Sequence, residues 1–141
     1  MTLIGAFAGL SPTPNQCPRI LLSICTGAMF PGNLGIFSQR FCTTHWAAYE
    51  ELTAYIKAAA VRTSSQPGTV IPARFVDSGV NTNGVRITSS GGISCGMDAG
   101  LHVVKLRCGE PEASSTAQLL DYAWRKTEGV VFGDDFSAAT P

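Results

Sequence analysis

The residue whose type and position best suit covalent chemistry is Cys25. It follows a continuous apolar run, Arg19–Ile24 (RILLSI), and precedes the small residues Thr26, Gly27 and Ala28. Such a run is typical of a strand buried on both faces. A buried strand that enters a sharp turn and then a helix holds a nucleophile in a strained backbone conformation at the carboxyl end of the strand. The pattern therefore predicts a nucleophile elbow with Cys25 at its tip.

The predicted turn offers two features that suit a thiolate. The N-terminus of a helix favours the thiolate form of a cysteine, and the backbone N–H of Thr26 would lie beside a developing oxyanion. A structural role for Cys25 stays open on the pattern alone, because free cysteines are often simply buried.

The elements around the elbow alternate between strands and helices. Leu52, Ile56 and Ala59 recur at helical spacing. The predicted helices are Trp46–Ala60, a helix that begins near Ser94 and is closed by Gly109, and a last helix from Pro111. The predicted strands are Phe41–Thr44, Arg74–Val76 and Val85–Ser89. The last two strands are predicted to form a hairpin. This order indicates an α/β fold. The predicted organisation is a leading loop over 1–18, one domain over 19–128 and a flexible tail over 129–141, with a surface loop over 61–72.

Composition excludes several classes of function. The chain has 141 residues with ten Lys or Arg and ten Asp or Glu, so its formal net charge is zero. A nucleic-acid-binding protein needs a basic face, which this balance does not supply. Its apolar runs are far shorter than the roughly 20 residues that span a bilayer. We therefore expect no nucleic-acid partner and no membrane span.

The five cysteines predict a reducing compartment. Their number is odd and no C-x-x-C spacing occurs, whereas disulfide frameworks and zinc sites use regular pairs. With no targeting signal at the N-terminus, we expect a cytoplasmic protein. We also expect no metal and no cofactor, because the two histidines are far apart and no phosphate-binding loop is present. Among the other cysteines, Cys42 and Cys108 are predicted to pack in the interior. Cys95 is predicted to be partly exposed, and Cys17 is predicted to oxidise most readily.

Four sequence blocks resemble one known family. Ser23–Ala28 (SICTGA) is similar to the elbow of the ThiJ/PfpI superfamily, the class I glutamine-amidotransferase-like proteins. Three further blocks resemble the family's motifs in the same order: Leu34–Trp46 (LGIFSQRFCTTHW), Arg74–Gly79 (RFVDSG) and Gly91–Asp98 (GGISCGMD). Within the superfamily, CTGA together with TTHW points to the isonitrile hydratase-like and fungal branch.

The resemblance covers Ile20–Leu106 and implies a flavodoxin-like three-layer sandwich with a mostly parallel sheet. It implies that Cys25 is the thiolate nucleophile and that Thr26 lines the site through its backbone N–H and hydroxyl. In the isonitrile hydratases, a lyase activity, an isonitrile gains water and becomes an N-substituted formamide. The deglycase branch has a histidine beside its cysteine at the spacing of His45, which could contact the thiolate or the substrate. The alternative is that His45 caps the helix beginning at Trp46.

The chain resembles only the C-terminal part of the family domain. Family members place strand–helix units before the elbow, including a central first strand with a catalytic or thiol-tuning Asp or Glu. We expect this chain to lack those units, as a fragment would, and to leave the strand before Cys25 with an unpaired edge. The nearby carboxylates are predicted at solvated or capping positions: Glu50 and Glu51 on an exposed helix face, Asp77 in a turn and Asp98 at a helix start. His102 is predicted to be packed or solvated, and Trp46 to pack on its helix.

Three functions stay open at this point. The first is isonitrile hydratase-like chemistry on a small electrophilic substrate. The second is a truncated, catalytically impaired family member that acts as a redox-reactive or partner-binding module. A glutamine amidotransferase or protease is the weakest, because no histidine directly follows Cys25 and no downstream His-x-Glu is present. Because family members often dimerise, we expect a homo-oligomer.

Overall fold

The strand and turn predicted around Cys25 are present with the predicted bounds. The computed structural model describes residues 2–12, 14 and 16–133. The strands are β1 (Arg19–Ile24), β2 (Phe41–Cys42), β3 (Thr69–Val70), β4 (Phe75–Val80), β5 (Val85–Ser90) and β6 (Val130–Val131). The α-helices are α1 (Leu3–Gly9), α2 (Met29–Asn33), α3 (Tyr49–Thr63), α4 (Ile93–Cys108) and α5 (Glu110–Leu119), with 3-10 helices at Cys25–Ala28 and Trp46–Ala48.

The sheet confirms an α/β fold with mostly parallel pairing. Four strands lie in the order β1-β5-β4-β6, and β2 and β3 form a separate parallel pair. In the larger sheet β1 is parallel to β5 and β6 is parallel to β4, whereas β4 and β5 are antiparallel. Among the described residues β1 pairs only with β5, so the strand that leads to Cys25 lies at the edge of the sheet.

Alternating side chains of the sheet contact different helices. Val85 and Ile87 of β5 belong to the main hydrophobic cluster, together with Leu52 and Ile56 of α3. The residues of β4 and β5 that point the opposite way lie against α4, where His102 contacts Asp77. The burial of Leu52, Ile56 and Ala59 confirms the helical stripe predicted from their spacing.

The described parts of two predicted irregular segments contain regular elements. The segment 1–18, predicted as a leading loop, contains α1, whose first turn is capped by the Thr2 hydroxyl accepting from the backbone N–H of Gly5. The segment 129–141, predicted as a flexible tail, contains β6, whose Val130 pairs with Val76. Residues 134–141 of that predicted tail lie outside the described residues.

Three interior segments also differ from prediction. The strand expected over Phe41–Thr44 ends at Cys42. The loop expected over 61–72 begins with the last turn of α3 and contains β3, because the backbone of Thr69–Val70 pairs with β2. The last helix ends at Leu119 instead of continuing towards Trp124, although its Ala113 and Ala117 are buried as expected.

The hairpin strand β4 continues through residues predicted as a turn. Asp77, Ser78 and Gly79 all lie within it. Gly79 has a φ of 71°, and the pairing register shifts between Asp77 and Val80, which is the geometry of a β-bulge. Asp77 itself lies in the sheet before the bulge, where it pairs with Thr88 of β5.

No described helix is long and apolar enough to cross a membrane.

Two glycines of α4 give a matched test of how this helix packs against the elbow strand. A Cβ on Gly96 would lie 2.7 Å from Cγ2 of Ile24, whereas a Cβ on Gly100 meets nothing within 4 Å. Gly100→Ala is expected to raise the free energy of unfolding by about 0.5–1 kcal/mol, because alanine is the better helix former. Gly96→Ala is expected to lower it by about 1 kcal/mol or more through overpacking. Urea denaturation measures both, and equal stabilisation by the two variants would contradict this packing of α4.

Candidate active site

Cys25 has the strained backbone predicted for the tip of a nucleophile elbow. Its φ is 55°, in the left-handed region, where a residue with a Cβ is disfavoured by roughly 1–2 kcal/mol. The residue is half-buried at the junction between β1 and the 3-10 helix. Strain of this kind persists where the surrounding structure imposes it, and it concentrates at active sites.

Two hydrogen bonds hold the backbone of Cys25 in this conformation. Its N–H donates to the carbonyl of Gly91, at 2.9 Å, and its carbonyl accepts from the hydroxyl of Thr44, at 2.7 Å. Thr44 is fully buried. The elbow is therefore attached both to the end of β5 and to the segment after β2. Sequence reasoning missed Thr44, although it stands within the TTHW block.

Thr26 directly follows Cys25 in the turn, and His45 directly follows Thr44 in the segment after β2. Thr26 is exposed in the first turn of the 3-10 helix, where backbone N–H groups have no carbonyl partner within the helix. His45 caps the 3-10 helix at Trp46, because its Nδ1 accepts from the backbone N–H of Ala47 at 3.3 Å. The capping role is thus the one that the contacts show, and among the described residues no hydrogen bond joins His45 to Cys25.

The ring of His45 nevertheless lies close to the backbone of Gly92. With Nδ1 accepting, the neutral ring carries its proton on Nε2. A Cβ on Gly92 would lie 3.4 Å from Cδ2, the ring carbon bonded to Nε2. Gly92 follows Gly91, the acceptor of the Cys25 N–H. The Cδ2 edge of His45 therefore lies beside the residue that follows the acceptor of the Cys25 N–H.

The carboxylate of Asp98 is buried, so the prediction of a solvated or capping role is wrong. Asp98 is fully buried and accepts from Nε and Nη2 of Arg74, at 2.7 and 2.5 Å. Its other oxygen accepts from the backbone N–H of Arg125 at 3.0 Å. Through these hydrogen bonds, the carboxylate of Asp98 attaches α4 to the segment before β4 and to the chain after α5.

Asp77, predicted in a turn, is also fully buried, and it forms a charged cluster with Arg86 and His102. Its Oδ2 lies 2.7 Å from His102 Nε2, and both of its oxygens accept from Nη1 of Arg86, at 3.0 and 2.9 Å. Burial raises the pKa of Asp77, but hydrogen bonds from His102 and from the backbone N–H of Gly79, together with the charge of Arg86, outweigh it and hold the pKa below its ordinary value. His102 is packed, one of the two roles left open for it.

This lowered pKa predicts acid sensitivity. The ionised form of Asp77 stabilises the folded chain above the unfolded pKa of about 4, and that contribution is lost as the pH falls through the lower folded value. Between about pH 5 and pH 3 the free energy of unfolding should fall more steeply for the wild type than for Asp77→Asn. Urea titrations across this range measure both slopes, and parallel slopes would contradict the ionised cluster.

The described cavities lie away from the predicted site residues. A cavity of about 490 Å³ lies between α1, the segment after α2 and the β4–β5 turn, and its lining includes Gly5, Arg40 and Asn83 but not Cys25, Thr26 or His45. Cys25, which is half-buried, does not line that cavity.

The other cysteines differ in accessibility. Cys42 is fully buried in the main hydrophobic cluster, which confirms its packing role. This burial raises the pKa of its thiol to about 12. Cys108 is exposed, so its predicted packing role is wrong: it is the last residue of α4, beyond the buried part of that helix. Cys95 is half-buried, and Cys17 is exposed.

Comparison of the chain with protein-family models and with curated proteins found no match. The fold and the site thus define an α/β protein in which a cysteine with a left-handed backbone stands at the carboxyl end of an edge strand.

Proposed function

We propose that Cys25 is the nucleophile of a ThiJ/PfpI-like, flavodoxin-like domain with isonitrile hydratase-like activity. The observation that carries this proposal is the φ of 55° at Cys25, at the junction between β1 and the 3-10 helix. Free, buried cysteines need no such conformation, whereas an elbow nucleophile does. The resemblance of Ser23–Ala28 to the family's elbow adds the reaction class.

The proposed reaction starts with attack of the Cys25 thiolate on the terminal carbon of the isonitrile. A proton is added to that carbon, which gives a thioimidate. Water then adds across its C=N bond, the nitrogen takes a proton, and the C–S bond breaks. The products are the N-substituted formamide and the regenerated thiolate, so that one water is consumed for each isonitrile.

Two residues have proposed roles beside the nucleophile. The first-turn N–H groups at Thr26 would stabilise negative charge that develops during attack. His45, with its proton on the ring edge that lies against Gly92, is the proposed proton donor. Its Nδ1 is already used by the cap, so only Nε2 is free for this transfer.

The test is formamide production from an isonitrile, followed by NMR, with wild type, Cys25→Ser and Cys108→Ser. Wild type and Cys108→Ser are expected to form the product at the same rate, and Cys25→Ser is expected to form none above the uncatalysed rate. Product formation by Cys25→Ser would overturn the proposal, and so would its absence from wild type.

A second candidate is a redox-reactive or partner-binding module without turnover. It is favoured because the two buried carboxylates already form ion pairs with other residues, Asp77 with Arg86 and Asp98 with Arg74. It is also favoured by the edge position of β1, which can pair with a further strand. This candidate predicts rapid alkylation of Cys25 without formamide production, and a homo-oligomer in sedimentation.

A further inference from the structure

We propose that Trp46 is a specificity-determining residue that selects electrophiles with an apolar, preferably aromatic, substituent for reaction at Cys25. The inference rests on the proposed nucleophilic role of Cys25. It adds a binding surface to that site, and with it the class of substituent that the substrate carries.

Trp46 does not have the packing role predicted for it, because its side chain is 75% exposed. Its ring lies against that of His45, with centroids 5.4 Å apart and an angle of 36° between the planes. His45 is itself held by its cap hydrogen bond to Ala47. The indole is thus supported from one side while the rest of its surface is open to a ligand.

A short series of contacts joins Trp46 to the nucleophile. Cys25 donates its N–H to Gly91, Gly92 lies against His45, and His45 lies against Trp46. Trp46 is thus linked to the backbone of Cys25 through His45 and the Gly91–Gly92 segment. On this ground we assign the indole to the surface from which a bound electrophile reaches the Cys25 thiol.

Three exposed side chains at the end of β1 and in the first turns of α4 are also apolar. Ile24, the residue before Cys25, is 45% exposed and faces Gly96 of α4. Ile93 and Met97 lie one turn apart on α4 and are both exposed. These three residues and Trp46 form what we name the apolar platform. None of its members carries a charge, so it favours a neutral apolar substituent over an ionic one.

Two neutral chloroacetamides with the same reactive group test this assignment: N-methyl and N-(naphthylmethyl) chloroacetamide. The rate of labelling is measured at Cys25 and at the exposed Cys108 of the same molecule by mass spectrometry. At each cysteine, the labelling rate with the naphthyl probe is divided by the rate with the methyl probe. The ratio at Cys25 is then divided by the ratio at Cys108, which removes the difference in intrinsic reactivity between the two probes. The wild type is expected to favour the naphthyl probe at Cys25 on the order of fivefold, the range of one aromatic contact.

Trp46→Ala is expected to bring this preference close to one, whereas Phe30→Ala should leave it unchanged. Phe30 is a matched control because it is also an exposed aromatic, 66% accessible, and borders a different cavity beside Ile4 and Tyr55. Equal preference in wild type and Trp46→Ala would overturn the assignment. In the wild type, Cys25 could be labelled more slowly than Cys108 and still prefer the naphthyl probe. That result would overturn the nucleophilic role of Cys25 and support the apolar platform.

Discussion

Replacing Cys25 by glycine is expected to abolish thiol chemistry at the elbow and to raise the free energy of unfolding at the same time. Glycine adopts a φ of 55° without the steric cost that a Cβ imposes. The expected gain is about 1 kcal/mol relative to Cys25→Ala. At ordinary helix positions alanine is the more stable of the two residues by about 0.5–1 kcal/mol, so the order at position 25 should be reversed.

Cys25→Ala is the control because it also removes the thiol but keeps the Cβ. Both variants should lose formamide production and alkylation at this position, and only the glycine variant should become more stable in urea denaturation. Equal stability of the two, or greater stability of alanine, would show that the elbow is not strained in solution. A site that stores strain in this way trades stability for the exposure of its nucleophile.

Asp77→Ala is expected to lower the free energy of unfolding by about 3–5 kcal/mol, the range for removing one partner of a buried ion pair. His102 loses its carboxylate partner, Arg86 loses two hydrogen bonds, and the N–H of Gly79 at the bulge loses its acceptor. The side chains of Arg86 and His102 are only 11% and 10% exposed, so water replaces these bonds poorly.

The matched control is Glu110→Gln. Glu110 also has two cationic partners, Lys105 and Lys126, at 2.8 and 2.5 Å, which hold its pKa at about 2. All three side chains are more than two-fifths exposed, so the loss of this charge should change stability much less. Chemical denaturation at neutral pH compares the variants. If Asp77→Ala lowered the free energy of unfolding no more than Glu110→Gln does, the structural importance of the buried cluster would be contradicted.

The local features of the elbow could be predicted from sequence because they depend on short-range rules. An apolar run followed by small residues specifies β1, the turn and the position of Cys25, and helical spacing specifies α3. The burial of Asp77 could not be predicted in this way. Its neighbours Ser78 and Gly79 resemble a turn, and the aspartate is buried only because Arg86 and His102 approach it from β5 and α4. The available indication was that Asp77 directly follows the strand predicted over Arg74–Val76.

Predictions about single side chains failed where partners distant in sequence decide the outcome. Trp46 opens a helix, so packing was expected, yet the cap formed by His45 leaves the indole outside the core. Asp98 was expected near the first turn of α4, but it is the sixth residue of that helix, and its partner Arg74 forms a buried ion pair with it. Thr44 contacts Cys25 only because β2 ends near the elbow.

The register between β1 and β5 also determines when the site can form during synthesis. Ile24 pairs with Ser90, so the partner of β1 leaves the ribosome about 65 residues later, a delay of several seconds at translation rates of roughly 5–20 residues per second. During that interval the apolar segment RILLSI has no strand beside it and is open to chaperones or to aggregation. The hydrogen bond from Cys25 to Gly91 closes only when β5 arrives. The hydrogen bond that helps to hold Cys25 in its strained geometry thus cannot form before Gly91 has been synthesised.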